Sequence, residues 1–127
     1  AENIIYGLGG LEMLTITSGF LTGTGIMGHF EDASMWTYVA GGVGVSLGVG
    51  TGIKIKNTIE KLNYQTRELA QDFGLIATGA IVAGGGSIEY MLHGAAGLIP
   101  FVASLVLMGG GDIRITDYKT SLKEIMK

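Results

Sequence analysis

Long stretches without a charged side chain are the feature that most constrains this chain. Four of them follow one another and span residues 13–30, 33–53, 73–88 and 90–111. The second and the fourth are 21 and 22 residues long, which reaches the roughly 20 apolar residues that a helix needs to cross a bilayer. Charged residues make up only 15% of the sequence, compared with about 25% in a typical soluble domain. The chain therefore has to cover much apolar surface, within itself, against other copies or in lipid.

Glycine is the second unusual feature. There are 23 glycines among 127 residues, more than twice the usual share of about 7%. They lie inside the apolar stretches, without the triplet period of collagen and without the composition of a Gly/Ser linker. Glycine in such positions predicts segments whose backbones come close together. The chain contains no cysteine, which excludes disulfides and thiolate metal sites.

The segment GGVGVSLGVGTGIKIKN, residues 41–57, is compatible with two conformations. Its apolar residues alternate as in a half-buried strand, whereas Gly44, Gly48 and Gly52 are four apart, the spacing of a close helix–helix contact. No other stretch alternates for long enough to be its partner strand, and glycine inside a strand weakens it. We therefore predict a helix whose three glycines form one helix-packing stripe, although the alternation leaves the local conformation at 43–56 open.

The sequence also matches itself at an offset of 60 residues, with Gly19 aligned to Gly79 and Gly25 to Gly85. Eight identities fall in the 57 positions that align residues 11–67 with 71–127, and each half has the same order of acidic residue, apolar run, polar turn, apolar run and basic segment. This pattern predicts a duplicated unit in which each half is a helical hairpin.

The predicted fold class is all-α, with two tandem hydrophobic helical hairpins that form a four-helix, glycine-rich bundle. We expect a single domain over residues 1–127, with the first hairpin in 1–63 and the second in 64–127. The predicted turns are 28–34 and 87–94. Pro100 suits the first turns of the fourth helix or a kink within it, and residues 57–72 extend the second helix or connect the hairpins.

The charged residues divide the chain into two kinds of ends. All eight Lys and Arg residues fall in two windows, 54–67 and 114–127, which lie at the same end if the helices run up and down. Glu31, Asp32 and Glu89, with the two histidines, mark the opposite end. The cations are candidates to face nucleic acid, although nearby acids leave the segments 54–72 and 112–127 at a net charge of only +1 each. They are Lys54, Lys56, Lys61, Arg67, Arg114, Lys119, Lys123 and Lys127.

Few residues suggest chemistry. GTGIMG at 23–28 has the spacing of a nucleotide-binding loop but follows no predicted strand. Glu89 and His93 are four apart and could share a helical face as metal ligands or an acid–base pair, and Glu12 precedes the first apolar run as a helix-start carboxylate. We predict no catalytic residue, no metal and no cofactor, and hence a protein that is not an enzyme.

A duplicated, apolar and polarised hairpin indicates a building block that buries its surfaces against other copies. In its paired apolar helices, small-residue stripes and basic segments at one end, the chain resembles the hydrophobic α-helical major capsid proteins of archaeal spindle-shaped viruses. The resemblance implies a virion location, a large homo-oligomer, and a helical shell that encloses double-stranded DNA, with the basic segments facing the lumen.

Two other classes remain open. The first alternative is a small integral membrane protein with four helices, holin-like, pilin-like or a transporter subunit. Its basic segments would then lie in the cytoplasm, because Lys and Arg collect on that side of a membrane. The second is an enzyme or cofactor-binding membrane subunit that uses Glu12, Glu89 or His93. Lipid is a possible partner on either view, and no small-molecule substrate is predicted.

Overall fold

The described part of the chain is helical almost throughout. The computed structural model describes residues 2–31, 35–62 and 66–125, with side chains at 7–31, 35–58, 60 and 70–120. The elements are α1 (Glu2–Phe30), α2 (Trp36–Leu62), α3 (Thr66–His93), a 3-10 turn (Gly94–Gly97) and α4 (Leu98–Ile125). No strand occurs among these residues, which confirms the all-α class, and residues 43–56 are helical.

The second turn lies later in the chain than predicted. The range 87–94 was expected to be a turn, but α3 continues to His93 and the chain reverses through the 3-10 turn, Gly94–Gly97. Gly94 has a φ of 73°, a left-handed conformation that glycine adopts without a steric penalty, and it therefore ends the helix. Pro100 is the third residue of α4, in the first turn as predicted, where its missing N–H removes no helical hydrogen bond. Helical residues thus run unbroken from α3 into α4.

The other boundaries agree more closely with the sequence. The predicted turn at 28–34 overlaps the connection between α1 and α2. Residues 57–72 belong mostly to helices, since α2 ends at Leu62 and α3 begins at Thr66. The segment therefore extends the second helix and starts the third one.

The helices form a row in the order α2, α1, α3, α4. Extensive contacts join α1 to α2, α1 to α3 and α3 to α4, whereas α2 touches α3 and α4 touches α1 only marginally. Within the described residues, no Cα atom of α2 lies within 8 Å of one in α4. One chain therefore does not close the predicted bundle, because α1 and α3, which would lie on a diagonal of that bundle, press directly against each other.

The central helices run parallel, with equivalent halves of the chain side by side. Gly84 lies against Phe20 and Gly85 lies 3.8 Å or less from Met27 when a Cβ is placed on it. Residue numbers thus rise together along α1 and α3, at an offset close to the 60 residues of the sequence repeat. Such a pairing relates the two hairpins by an approximate two-fold axis along the helices.

Within each hairpin the helices are antiparallel and their registers correspond. In the first hairpin Gly25 and Gly41 are in backbone contact, and in the second Gly86 lies beside Phe101. Adding 60 to the first pair gives residues 85 and 101, one position from the second pair. An internal duplication requires this agreement, and the duplication itself stays a prediction.

The apolar core is concentrated near the basic end. Five buried side chains form its centre: Leu8, Leu11, Phe73, Ile76 and Ile115. Further along the helices, small residues replace large ones. The buried hydroxyls of Thr15 and Thr24 donate hydrogen bonds to carbonyl oxygens one turn earlier, at 2.7 and 2.9 Å. These bonds satisfy the hydroxyls without a partner helix, so that the helices can approach through small side chains.

Candidate assembly surfaces and charged ends

The contact between α1 and α3, here called the inner contact, brings the backbones of two helices close together. A Cβ at Gly23 would overlap the carbonyl oxygen of Ile81, and one at Gly19 would lie 2.7 Å from the Cβ of Ala80. Only glycine fits at such positions, since the opposing atoms include backbone that cannot move aside. Sequence analysis missed this contact. The four-residue spacings Gly19–Gly23 and Ala80–Gly84 are the signal that could have found it.

The predicted stripe on α2 is a contact only at its start. A Cβ at Gly44 would lie 2.7 Å from Thr22 Oγ1 on α1, one at Gly48 would be 3.9 Å from the nearest atom, and Gly52 has no atom within 4 Å. Four residues advance a helix by about 40° beyond a full turn, so the third glycine rotates away from α1. Thr51 takes its place in the interface and is 4% exposed.

The sides of α2 and α4 that face away from the row are apolar and exposed, and we call them the outer faces. Val39 is 66% exposed on α2, and Val106 is 71% exposed on α4. A shallow groove of about 550 Å³ runs along the outer face of α2; its lining residues are Val39, Gly42, Val43, Ser46 and Leu47. These faces contain no Asp, Glu, Lys or Arg between residues 39 and 53 or between 99 and 111. The outer faces are thus apolar surfaces that no other described part of the chain covers.

Several glycines on α2 and α4 have no role in packing within the chain. A Cβ at Gly42, Gly50, Gly109 or Gly110 would find no atom within 4 Å. Glycine inside a helix destabilises it by about 1 kcal/mol relative to alanine. No contact within the described residues offsets that cost at these four positions.

The basic end contains both free and paired cations. Lys54 and Lys56 are exposed, and neither forms an ion pair with a described acidic group. Arg114 Nη1 lies 3.5 Å from Oδ1 of the buried Asp72, and Lys119 Nζ lies 3.5 Å from Glu12 Oε2. The carboxylates therefore compensate the described cations of the second hairpin more than those of the first.

The remaining candidate cations lie outside the side chains that the structure describes. They are Lys61, Arg67, Lys123 and Lys127.

Glu12, at this end, has a strongly raised pKa. Its side chain is buried between α1 and α4, and burial together with a hydrogen bond to Asp112 raises its pKa to about 7, against a smaller opposing effect of Lys119. A hydrogen bond between two carboxyl groups requires a proton on one of them, and that proton favours the neutral form of Glu12. Glu12 is the eleventh residue of α1 (Glu2–Phe30), so the prediction of a helix-start carboxylate is wrong. It joins the two hairpins near the core instead.

The opposite end brings Glu31, Glu89 and His93 together. His93 Nε2 lies 2.8 Å from Glu31 Oε2, which raises the pKa of His93 and lowers that of Glu31. One ligand atom from each residue lies within 4.8 Å of the others, a separation that one cation could bridge. Partly exposed carboxylates beside a histidine also form ordinary ion pairs, and this pair links the first turn to the end of α3.

Two helical stretches among the described residues are long and apolar enough to cross a membrane by length and composition. They are Trp36–Thr58 and Ala70–Thr120, of which the second passes through the 3-10 turn and so includes two antiparallel helices. A core helix of a soluble protein meets the same criterion. In each stretch, 11% of an apolar window of 18 residues is buried within the chain.

Comparison with protein-family models, with curated proteins and with solved structures finds no match for this chain.

Proposed function

We propose that this chain is a structural protein, a major capsid protein that self-assembles through its apolar, glycine-rich helices into a helical shell enclosing viral double-stranded DNA. The observation that carries the proposal is the pair of outer faces at the two edges of the row. Apolar patches of this extent on a soluble protein mark interaction sites, and here they lie on opposite sides of the subunit. In this proposal the four-helix, glycine-rich bundle is completed between neighbouring copies.

The polarity of the subunit supports a shell with two different surfaces. The Lys and Arg side chains that the structure describes lie in the second halves of α2 and α4, so that side-by-side packing of copies gathers the basic ends on one surface. Neutralised phosphates release counterions, which drives binding to DNA even when each subunit adds little charge. Because carboxylates compensate Arg114 and Lys119, contact with phosphate falls first on the exposed Lys54 and Lys56.

Negative-stain microscopy of the purified native material tests the proposal, with nuclease digestion and a lipid assay on the same fraction. Regular tubes or spindles that protect DNA from nuclease are the expected result. Small particles without DNA that stay soluble only in detergent would contradict it.

Charge-removing variants test the DNA contact separately. We expect Lys54→Gln with Lys56→Gln to leave assembly intact and to lower the amount of nuclease-protected DNA per subunit. Lys54→Arg with Lys56→Arg is the matched control, since it keeps both charges and should protect as much DNA as the wild type. Equal protection by the glutamine variant would exclude these lysines as the phosphate contact.

Insertion into a lipid bilayer is the second candidate function, and the two apolar stretches of membrane-spanning length favour it. A four-helix membrane protein of the holin, pilin or transporter-subunit kind would use lipid, and not other copies, to cover the outer faces. It would remain a small oligomer in detergent, whereas a shell protein forms large particles. The same microscopy and lipid assay therefore separate the two functions.

A further inference from the structure

The outer faces of α2 and α4 differ in the positions of their small residues. Along α2, Gly42 and Ser46 leave gaps on the outer face, and Val49 fills the next position. Along α4, Val102 and Val106 are exposed at 58% and 71%. Gly109 occupies the next position on that face, and a Cβ placed on it would find no atom within 4 Å. On α2 two gaps thus precede a bulky side chain, whereas on α4 two bulky side chains precede a gap.

The contact between α1 and α3 shows how two parallel helices of this chain can pack. α1 and α3 pack in parallel, with each residue of α1 close to the residue about 60 positions later in α3. If α4 of one copy packs against α2 of the next in the same way, residue 42 meets residue 102, 46 meets 106, and 49 meets 109.

In that register the two faces are complementary in size. Gly42 and Ser46 receive Val102 and Val106, respectively, and Gly109 receives Val49. Larger residues flank this region on both faces, with Val39 opposite Ile99 at one end and Ile53 opposite Ile113 at the other. Residues 39–53 of α2 and 99–111 of α4 include no Asp, Glu, Lys or Arg. The first charged residues come near Ile53 and Ile113, where the helices approach the basic end.

Pairing of two identical faces lacks this complementarity. In a parallel α2–α2 contact, Gly42 would face Gly42 and leave a void, whereas Val49 would face Val49. Voids lose dispersion contacts, and opposed bulky residues hold the helices apart.

We propose that the outer face of α2 docks on the outer face of α4 of a second copy, parallel and at an offset of 60 residues. The inference rests on the proposed function, because it names the contact by which the shell assembles. Such a contact is head-to-tail, so it continues the row of helices from copy to copy and keeps every basic end on one side. Head-to-tail contacts build open helical arrays when the rotation does not close.

Cysteine cross-linking tests the contact directly, since the chain has no cysteine of its own. Subunits with Ser46→Cys and subunits with Val106→Cys, distinguished by mass, are co-assembled and oxidised. The expected product is a disulfide between the two different variants, several-fold more abundant than either homodimer. A predominance of Ser46→Cys or Val106→Cys homodimers would overturn the head-to-tail contact.

A size swap provides the second test. Gly42→Leu should leave the helical content of the subunit unchanged, because the position faces open space, and should reduce assembly at least ten-fold. Adding Val102→Ala to the same chain should restore assembly. Gly74→Leu is the matched control, since Gly74 also has no atom within 4 Å but lies on α3. Assembly of Gly42→Leu at the wild-type level would overturn the proposal.

The two levels of the hypothesis fail differently. If the wild type forms no large particles, the proposed shell function fails and this contact fails with it. If the wild type assembles but cross-links only between identical faces, the shell function stands and the α2–α4 contact is wrong.

Discussion

The inner contact and the outer faces are built from the same residue types but differ in what lies opposite their glycines. At the inner contact, Gly23 and Gly84 face the backbone of the neighbouring helix so closely that a methyl group would overlap a carbonyl oxygen. On the outer faces, Gly42 and Gly110 face open space. Glycine inside a helix is unfavourable in both places, by about 1 kcal/mol against alanine. Only the inner glycines offset this within the chain, through contacts that no larger residue would allow.

This difference separates the fold of the subunit from its association with other copies. A substitution at the inner contact should change the free energy of unfolding. A substitution on the outer faces should leave it unchanged or raise it, and should act on assembly instead.

The largest effect is expected from Gly23→Val. The new side chain has to displace the backbone at Ile81, and such overpacking costs about 3 kcal/mol or more. Urea unfolding followed by circular dichroism measures the change. Gly10→Val is the matched control on the same helix, because Gly10 has no atom within 4 Å, and its stability should change little. Equal destabilisation by both variants would show that valine in α1, and not the inner contact, is responsible.

Glu12 tests how the two hairpins are joined beside the core. Its folded-state pKa of about 7 lies above the usual 4.5, so the folded chain holds a proton that the unfolded chain has lost between these pH values. The free energy of unfolding should therefore fall as pH rises from about 4.5 to about 7, with no further contribution from this group above that.

The variant Glu12→Gln should weaken this fall, because the neutral amide replaces the protonated carboxyl group. Urea titrations at pH 5 and pH 8 measure the difference, with Glu60→Gln as the control for an exposed glutamate at the same end. A pH dependence as steep in Glu12→Gln as in the wild type would mean that Glu12 is not the group responsible.

Much of the fold follows from local patterns in the sequence. The sequence predicts a helix over 43–56 because no other stretch alternates for long enough to be its partner strand. These residues are helical in the structure. The predicted second turn, 87–94, includes the polar Glu89 and His93, but both lie in the last turns of α3, which ends at His93. The glycine at position 94 was the better signal, since the left-handed cap is a glycine conformation.

The arrangement of the helices was harder to predict. Two up-and-down hairpins predict a closed bundle in which every helix has two neighbours. The helices form a row instead, because their order depends on which of them present small residues to each other. Gly44 was correctly included in a helix contact, while Gly52 was not, because a strict four-residue spacing drifts around the helix. The ion pair of Glu12 with Lys119 joins residues 107 positions apart, which no local pattern could reveal.

Alanine at the exposed glycines should stabilise the subunit modestly. Gly50→Ala and Gly110→Ala each remove a helix-interior glycine with open space around it, and each should raise the free energy of unfolding by about 0.5–1 kcal/mol. Gly84→Ala is the contrasting variant at the inner contact and should destabilise instead. Thermal unfolding compares the three. A loss of stability in Gly50→Ala would show that the outer faces are already packed within the subunit.

The smallest effect is expected from the link between the hairpins at the acidic end. This link is the ion pair of Glu31 with His93, in which each residue shifts the pKa of the other: that of Glu31 is lowered and that of His93 is raised. The pair therefore stabilises the fold from below pH 4.5 to above pH 6.5. This contribution is lost as pH falls through the lowered pKa of Glu31 or rises through the raised pKa of His93.

Glu31→Gln should therefore lower the melting temperature slightly at pH 5.5, less at pH 8, and hardly at all in high salt, because exposed ion pairs are weak and screened. The control is His29→Gln. His29 Nδ1 lies 3.1 Å from the hydroxyl of Tyr38 in the same hairpin, so this contact does not join the two hairpins. Identical pH profiles for the two variants would mean that the Glu31–His93 pair does not hold the hairpins together. The two hairpins would then be held together by the glycine contacts between α1 and α3 and by the contacts at the basic end alone.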